Sequence, residues 1–213
     1  MVAGGQREYL PFYGLSALDR GSAVYVSPNG LDRGWANRGG DDTTLIGNIA
    51  AAAKAALCVD EDLVFATGFS YGAGMSFNLA CEAPGTFRAV APLSGVGART
   101  PNGTASGCGA EPVAFYGQHG IGDASIPLER GRTMRDVFVK NNGCVPVAAN
   151  STAPAAGSGA HVKTVYQGCS PGHPVVWVEF DGPHTPVPKD RGASTTWTPG
   201  EVWAFFSQFN STA

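Results

Sequence analysis

The stretch "FATGFSYGAGMS" (residues 65–76) decides the fold, because it joins an apolar run to the start of a predicted helix. Its residues 68–72 match the G-x-S-x-G pattern of a serine on a sharp turn between a strand and a helix. Such a turn strains the serine backbone and exposes its hydroxyl, and small flanking residues let neighbouring backbone pass close. A bare match is weak in a chain with 30 glycines, so the strand before it and the helix after it carry the prediction. We therefore predict Ser70 as a nucleophile, with the backbone N–H of Tyr71 as an oxyanion donor.

The composition indicates one glycine-rich, weakly charged domain. Charged residues make up 15% of the 213 residues, below the roughly 25% of typical globular domains. We expect a single domain over residues 1–213, and a monomer. The net charge of −3 provides no basic surface for a phosphate backbone, and no apolar stretch is long enough to cross a bilayer. Neither nucleic acid nor a membrane is expected as a partner.

The cysteines favour disulfides over a metal site. They are dispersed, without C-x-x-C spacing and without a nearby histidine, so no metal is expected. The five are Cys58, Cys81, Cys108, Cys144 and Cys169.

Three N-glycosylation acceptor triplets, at Asn102, Asn150 and Asn210, indicate a eukaryotic secretory route and an extracellular protein. The start "MVAGGQREYLPF" has no basic head followed by an apolar core, so it does not match a signal peptide. Five is also an odd number of cysteines for a secreted protein. The compartment and the N-terminus therefore disagree.

Strand and helix patterns alternate along the chain. Apolar runs predict strands at 22–30, 63–69, 87–95, 112–120, 161–169 and 174–180. Helices are predicted at 41–58, 71–84, 126–143 and 198–209. Asp41 is predicted to cap the first helix and Thr198 the last. The alternation predicts an α/β domain with a mostly parallel sheet and helices on both faces.

A serine hydroxyl needs a base to take its proton and an acid to orient that base. His184 lies in a loop that leaves the carboxyl end of the last predicted strand, where α/β active sites gather. His119 ends an earlier strand and is a second candidate for lining the site, whereas His161 and His173 are better explained as turn or surface residues. We predict His184 as the base.

Asp123 is predicted as the acid, because it lies just past the carboxyl end of the strand at 112–120. Asp181 is too near His184 in sequence to come from a separate strand end. Asp136 lies on the exposed face of a predicted helix, where a solvated charge is the ordinary explanation.

Several blocks of sequence carry a family resemblance. They are "VSPNGLDRGWANRGGDD", "GFSYGAGMSFNLAC", "PVAFYGQHGIGD", "FVKNNGC" and "FDGPHTPVPKDRG". In this order they resemble the fungal secreted feruloyl esterases of carbohydrate esterase family 1, which are α/β-hydrolases. The resemblance runs from about Tyr13 to Phe209 and implies a triad of Ser70, Asp123 and His184. It implies hydrolysis of the ester that joins ferulic acid to arabinose side chains of plant cell-wall xylan, without a cofactor or metal.

Related families leave the substrate open, since acetylxylan esterases and polyester depolymerases of the polyhydroxybutyrate type share the triad. The resemblance also implies a further N-terminal stretch, with the first strands of the sheet and a second oxyanion donor. We therefore expect a fragment that lacks its N-terminal strands, signal peptide and sixth cysteine, and a catalytically impaired or binding-only product stays an alternative. Taken in chain order, the cysteines would pair as Cys81–Cys108 and Cys144–Cys169, leaving Cys58.

Aromatic side chains are the remaining candidates for substrate contact. Trp35 and Tyr71 could pack against a phenolic ring, and His119 is included as a tentative contact. A structural role for Trp35, holding its glycine-rich loop to the core, stands equally open. The spacing of Trp177 and Trp203 is typical of core residues.

Overall fold

The computed structural model of the chain describes residues 12–97, 108–148 and 153–209. A five-stranded sheet lies at its centre. The strands are β1 (Phe65–Phe69), β2 (Ala89–Leu93), β3 (Ala114–Gly120), β4 (His161–Val165) and β5 (Val175–Phe180). The α-helices are α1 (Asp41–Ala56), α2 (Tyr71–Glu82), α3 (Leu128–Asn141) and α4 (Thr198–Ser207). Short 3₁₀ segments cover Phe12–Ala17, Leu31–Arg33 and Arg38–Gly40.

The sheet is mostly parallel, as predicted. Its strand order is β1-β2-β3-β5-β4, and only β4 runs antiparallel to its neighbour. The carboxyl ends of β1, β2, β3 and β5 therefore meet at one edge of the sheet, which is where ligands bind in folds of this kind.

Helices cover both faces of the sheet and enclose two apolar cores, because successive side chains of a strand point to opposite faces. On one face, α2 packs on β1 and β2, and α3 packs on β3, where the ring of Phe115 stacks on that of Phe138 at 4.5 Å. On the other face, α4 places Val202 and Phe205 beside Tyr116. Burial on both faces explains why β2, β3 and β5 are largely apolar in sequence.

The predicted strand at 22–30 is wrong. This segment has no regular secondary structure and lies across a crevice of about 520 Å³ from β1. A strand needs a neighbour to complete its hydrogen-bond ladder, and this segment pairs with none in the described part of the chain.

The two predicted helix caps are also wrong. Gly40, in the left-handed conformation, precedes α1, and Asp41 lies in the first helical turn. Trp197 precedes α4, and the hydroxyl of the buried Thr198 instead donates to Gln118 Oε1 at 3.1 Å.

The two predicted disulfides, Cys81–Cys108 and Cys144–Cys169, are both present, and Cys58 is exposed and unpaired. The acceptor residues Asn102, Asn150 and Asn210 lie outside the described residues. Over the described ranges, no helix combines the length and apolar character that a membrane span requires.

Candidate active site

Ser70 occupies a strained turn between β1 and α2. Its φ of 55° and ψ of −111° lie outside the regions that a non-glycine residue normally adopts. The turn is held from both sides, because Ser70 N donates to Leu93 O at 3.1 Å and Ser70 O accepts from Gly74 N at 3.1 Å. A Cβ on Gly95 would lie 2.3 Å from that of Ala73, so only glycine lets the chain after β2 approach α2 this closely. This is the nucleophile-elbow geometry that the sequence predicted.

The side chains of Ser70, His184 and Asp123 form one hydrogen-bonded chain. His184 Nε2 lies 3.0 Å from Ser70 Oγ, and His184 Nδ1 lies 2.6 Å from Asp123 Oδ2. The imidazole packs on the ring of Phe69, with 4.5 Å between the ring centroids. In this arrangement an imidazole can take the hydroxyl proton while a carboxylate fixes its tautomer.

The carboxylate of Asp123 is fully buried and held by backbone as well as by the histidine. Its Oδ1 accepts from Ser125 N at 2.9 Å and Ile126 N at 2.8 Å, which leaves Oδ2 to face the imidazole. The rival carboxylates are engaged elsewhere. Asp181 accepts from Gly159 N, and Asp136 pairs with the adjacent arginine.

Two buried side chains that the sequence analysis did not single out anchor the loop that carries His184. Ser94 Oγ donates to Thr185 O at 3.3 Å, and Gln118 Nε2 donates to Pro186 O at 3.1 Å. Gln118 has no exposed surface. The available signal was a glutamine within the buried strand β3, because a buried amide must find hydrogen-bond partners.

His119 does not line the site surface. Its side chain is fully buried, and its Nε2 lies 2.8 Å from Ile126 O. Burial lowers the pKa of this imidazole, outweighing the carbonyl of Ile126 and the carboxylate of Asp123, which raise it. The expectation that His119 contacts a substrate is wrong for this structure.

Trp35 is also buried, at 7% exposure, in the core cluster that includes Ile46 of α1 and Phe77 of α2. Of the two interpretations left open, the structure favours the one in which Trp35 holds its loop to the core. Tyr71, in contrast, is 68% exposed beside the serine, and its ring faces Gly34 of that same loop. Its backbone N–H lies at the start of α2, where the helix dipole favours negative charge.

Within the described ranges, no group of three or more histidine, cysteine or acidic side chains is arranged to hold a metal ion.

Comparisons with known proteins find relatives in sequence and neighbours in fold. The chain is 46% identical over 204 residues to feruloyl esterase D of Neurospora crassa, covering 94% of this chain and 67% of the relative. It is 46% identical over 198 residues to feruloyl esterase C of Emericella nidulans, covering 92% and 68%. A probable feruloyl esterase C of Aspergillus terreus is 44% identical over 209 residues, covering 97% and 72%. No protein-family model matches the chain.

Solved structures share the fold at low identity. A Bacillus cereus carboxylesterase aligns with a TM-score of 0.59 at 11% identity, covering 97% of this chain and 86% of that one. An acetyl xylan esterase from Aspergillus awamori aligns with a TM-score of 0.54 at 16% identity, covering 79% and 68%. These likenesses show an α/β-hydrolase fold. The identity of 46% to fungal relatives, over more than nine-tenths of this chain, establishes that the chain belongs to the feruloyl esterase family.

Proposed function

We propose that the chain hydrolyses esters of ferulic acid and related hydroxycinnamic acids, with Ser70 as nucleophile, His184 as base and Asp123 as the acid that orients it. The observation that carries this proposal is the continuous hydrogen-bonded chain, 3.0 Å from serine to imidazole and 2.6 Å from imidazole to carboxylate. Membership of a family whose relatives are named feruloyl esterases supports the choice of acyl group.

The reaction follows from the positions of these groups. Ser70 Oγ attacks the ester carbonyl while His184 Nε2 takes its proton, giving a tetrahedral intermediate. The N–H of Tyr71 at the start of α2 donates to the developing oxyanion. His184 then protonates the departing sugar alcohol, leaving a feruloyl ester on Ser70. A water molecule, deprotonated by His184, attacks this ester, and the free acid leaves as the serine regains its proton.

The proposed substrate is ferulic acid esterified to arabinose side chains of plant cell-wall xylan, cleaved outside the cell. The two disulfides support an oxidising compartment, since such bonds are rare in the cytosol. The exposed ring of Tyr71 lies next to the nucleophile, where it can stack on the phenolic ring of the acyl group. We further propose one catalytic domain, acting as a monomer, with glycans at the three acceptor asparagines.

The test compares methyl ferulate with an acetylated xylan, using wild type, Ser70→Ala and Ser170→Ala. Ser170 precedes β5 at the opposite edge of the sheet and serves as the matched serine control. We expect methyl ferulate to be cleaved faster, with Ser70→Ala losing roughly 10⁶-fold in kcat. A fluorophosphonate probe should label wild type and Ser170→Ala only.

Activity in Ser70→Ala close to that of wild type would refute the triad. Cleavage of acetyl esters alone would instead identify an acetylxylan esterase. A wild type that neither turns over nor reacts with the probe would identify an impaired product.

A further inference from the structure

A second histidine lies against the acid of the proposed triad and contacts the same carboxylate oxygen as His184. His119 Nε2 is 2.8 Å from Ile126 O and 3.3 Å from Asp123 Oδ2. Its Nδ1 is buried and has no hydrogen-bond partner in the described part of the chain. One nitrogen of this ring therefore contacts both the carboxylate and the loop whose backbone amides hold that carboxylate.

The contacts determine which nitrogen carries the proton. A carbonyl oxygen only accepts hydrogen bonds, so Nε2 must be the N–H nitrogen of the neutral ring. Protonation of Nδ1 would add a buried N–H without an acceptor, which is costly. Burial accordingly lowers the pKa of His119 below its usual 6.5 and dominates over the charges that face the ring.

Those charges lie on β5 and on the two loops that carry Asp123 and His184. Asp123 and Glu179 raise the pKa of His119, and His184 lowers it. Glu179, opposite His119 on β5, is itself neutralised by a two-point pair with Arg132 at 2.9 and 2.8 Å. The ring of His119 is thus a neutral donor in the folded protein.

Helix α3 is shaped to admit this ring. A Cβ on Gly131 would lie 2.4 Å from His119 Nδ1 and 2.9 Å from the ring of Trp177. Glycine is unfavourable in a helix interior relative to alanine, so its presence in α3 is explained by the space that the imidazole needs. The ring is confined between the helix backbone and the sheet.

We propose that His119 is a positioning residue, whose neutral Nε2–H is shared between the Ile126 carbonyl and Asp123 Oδ2 and sets the carboxylate in line with His184. The inference rests on the proposed function, because Asp123 acts through His184. Neutrality matters, since a cation at this place would offset the negative charge that Asp123 presents to the imidazolium formed during the reaction.

Three variants test the role. His119→Leu removes the hydrogen-bond donor. His119→Gln places an amide N–H about where Nε2 lies. His119→Asn carries the same amide on a shorter side chain, which cannot reach Ile126 O and Asp123. The readouts are kcat and KM on methyl ferulate, the melting temperature, and the far-downfield proton NMR signal of the His184–Asp123 hydrogen bond. His173→Gln, before β5 at the opposite edge of the sheet, controls for loss of a half-buried histidine.

We expect kcat of His119→Leu and His119→Asn to fall roughly 10- to 100-fold from misplacement of the triad, with KM changed less than about twofold. The downfield signal should shift or broaden in both, and His119→Gln should recover most of kcat and the signal. If His119→Leu does not fold, the comparison of His119→Gln with His119→Asn tests the positioning role without it.

Equal kcat in His119→Gln and His119→Asn, or an unshifted downfield signal in both, would overturn the positioning role. A failure of this positioning role can be told apart from a failure of the proposed triad, because Ser70→Ala tests the triad without any change at residue 119.

Discussion

Replacing Asp123 by asparagine should nearly abolish turnover while leaving the fold intact. The carboxylate Oδ1 accepts from the backbone N–H groups of Ser125 and Ile126, at 2.9 and 2.8 Å, so the amide oxygen of an asparagine must take that place. Its NH₂ group then replaces Oδ2, 2.6 Å from His184 Nδ1. Because NH₂ only donates, Nδ1 must accept, and the ring proton moves to Nε2, where it faces Ser70 Oγ. An imidazole in that tautomer cannot take the hydroxyl proton.

The same change in a Ser-His-Asp protease lowers kcat about 10⁴-fold, which corresponds to about 5.4 kcal/mol of transition-state free energy. We expect an effect of that order here. The assay is kcat on methyl ferulate at neutral pH, with a thermal melt to establish folding. Asp136→Asn, an exposed carboxylate on α3, is the control and should keep wild-type turnover. A kcat of Asp123→Asn within about tenfold of wild type would refute the reasoning.

Two further predictions concern buried polar groups. In Gln118→Met, the donor to Pro186 O is lost and the hydroxyls of Tyr116 and Thr198 lose their acceptor. This should cost about 2–4 kcal/mol, or roughly 4–16 °C in melting temperature, and lower kcat. Unchanged melting by circular dichroism would contradict it. The pKa of His119 is lower in the folded protein than in the unfolded chain. As the pH falls below about 6.5, the unfolded chain therefore binds more protons than the folded protein, and the free energy of unfolding decreases. In His119→Gln, the dependence of the free energy of unfolding on pH should be weaker by up to about 1.4 kcal/mol per pH unit. Urea melts of wild type and variant at neutral and acidic pH measure this dependence, and the same dependence in both would contradict the prediction.

The sequence placed the three candidate site residues at one edge of the sheet because each of them follows a predicted apolar strand. Ser70, Asp123 and His184 come after β1, β3 and β5, and the carboxyl ends of these parallel strands meet at one edge. The strand predicted at 22–30 failed for a non-local reason. Its composition favours extended backbone, but a ladder partner depends on what lies beside it in the fold.

The failure at His119 has a different cause. Side chains of β3 alternate between two faces, and His119 shares the face of Phe115, which α3 covers. Sequence position at a strand end does not reveal whether the last side chains project toward solvent or under the next helix. Gln118, one residue earlier, turns to the other face and reaches the loop of His184.

Among the strands of the described residues, β1, which precedes the nucleophile, lies at one edge of the sheet and pairs only with β2. On its free flank, the N–H of Phe69 donates to the hydroxyl of Tyr13 at 3.1 Å, so a side chain from the start of the described chain braces the turn. Segments with few neighbours open locally at a lower free energy than the whole molecule. Heating should therefore distort the Ser70 turn before the rest of the described structure unfolds. The temperature at which activity is lost will then depend on the hydrogen bond between Phe69 N and the Tyr13 hydroxyl.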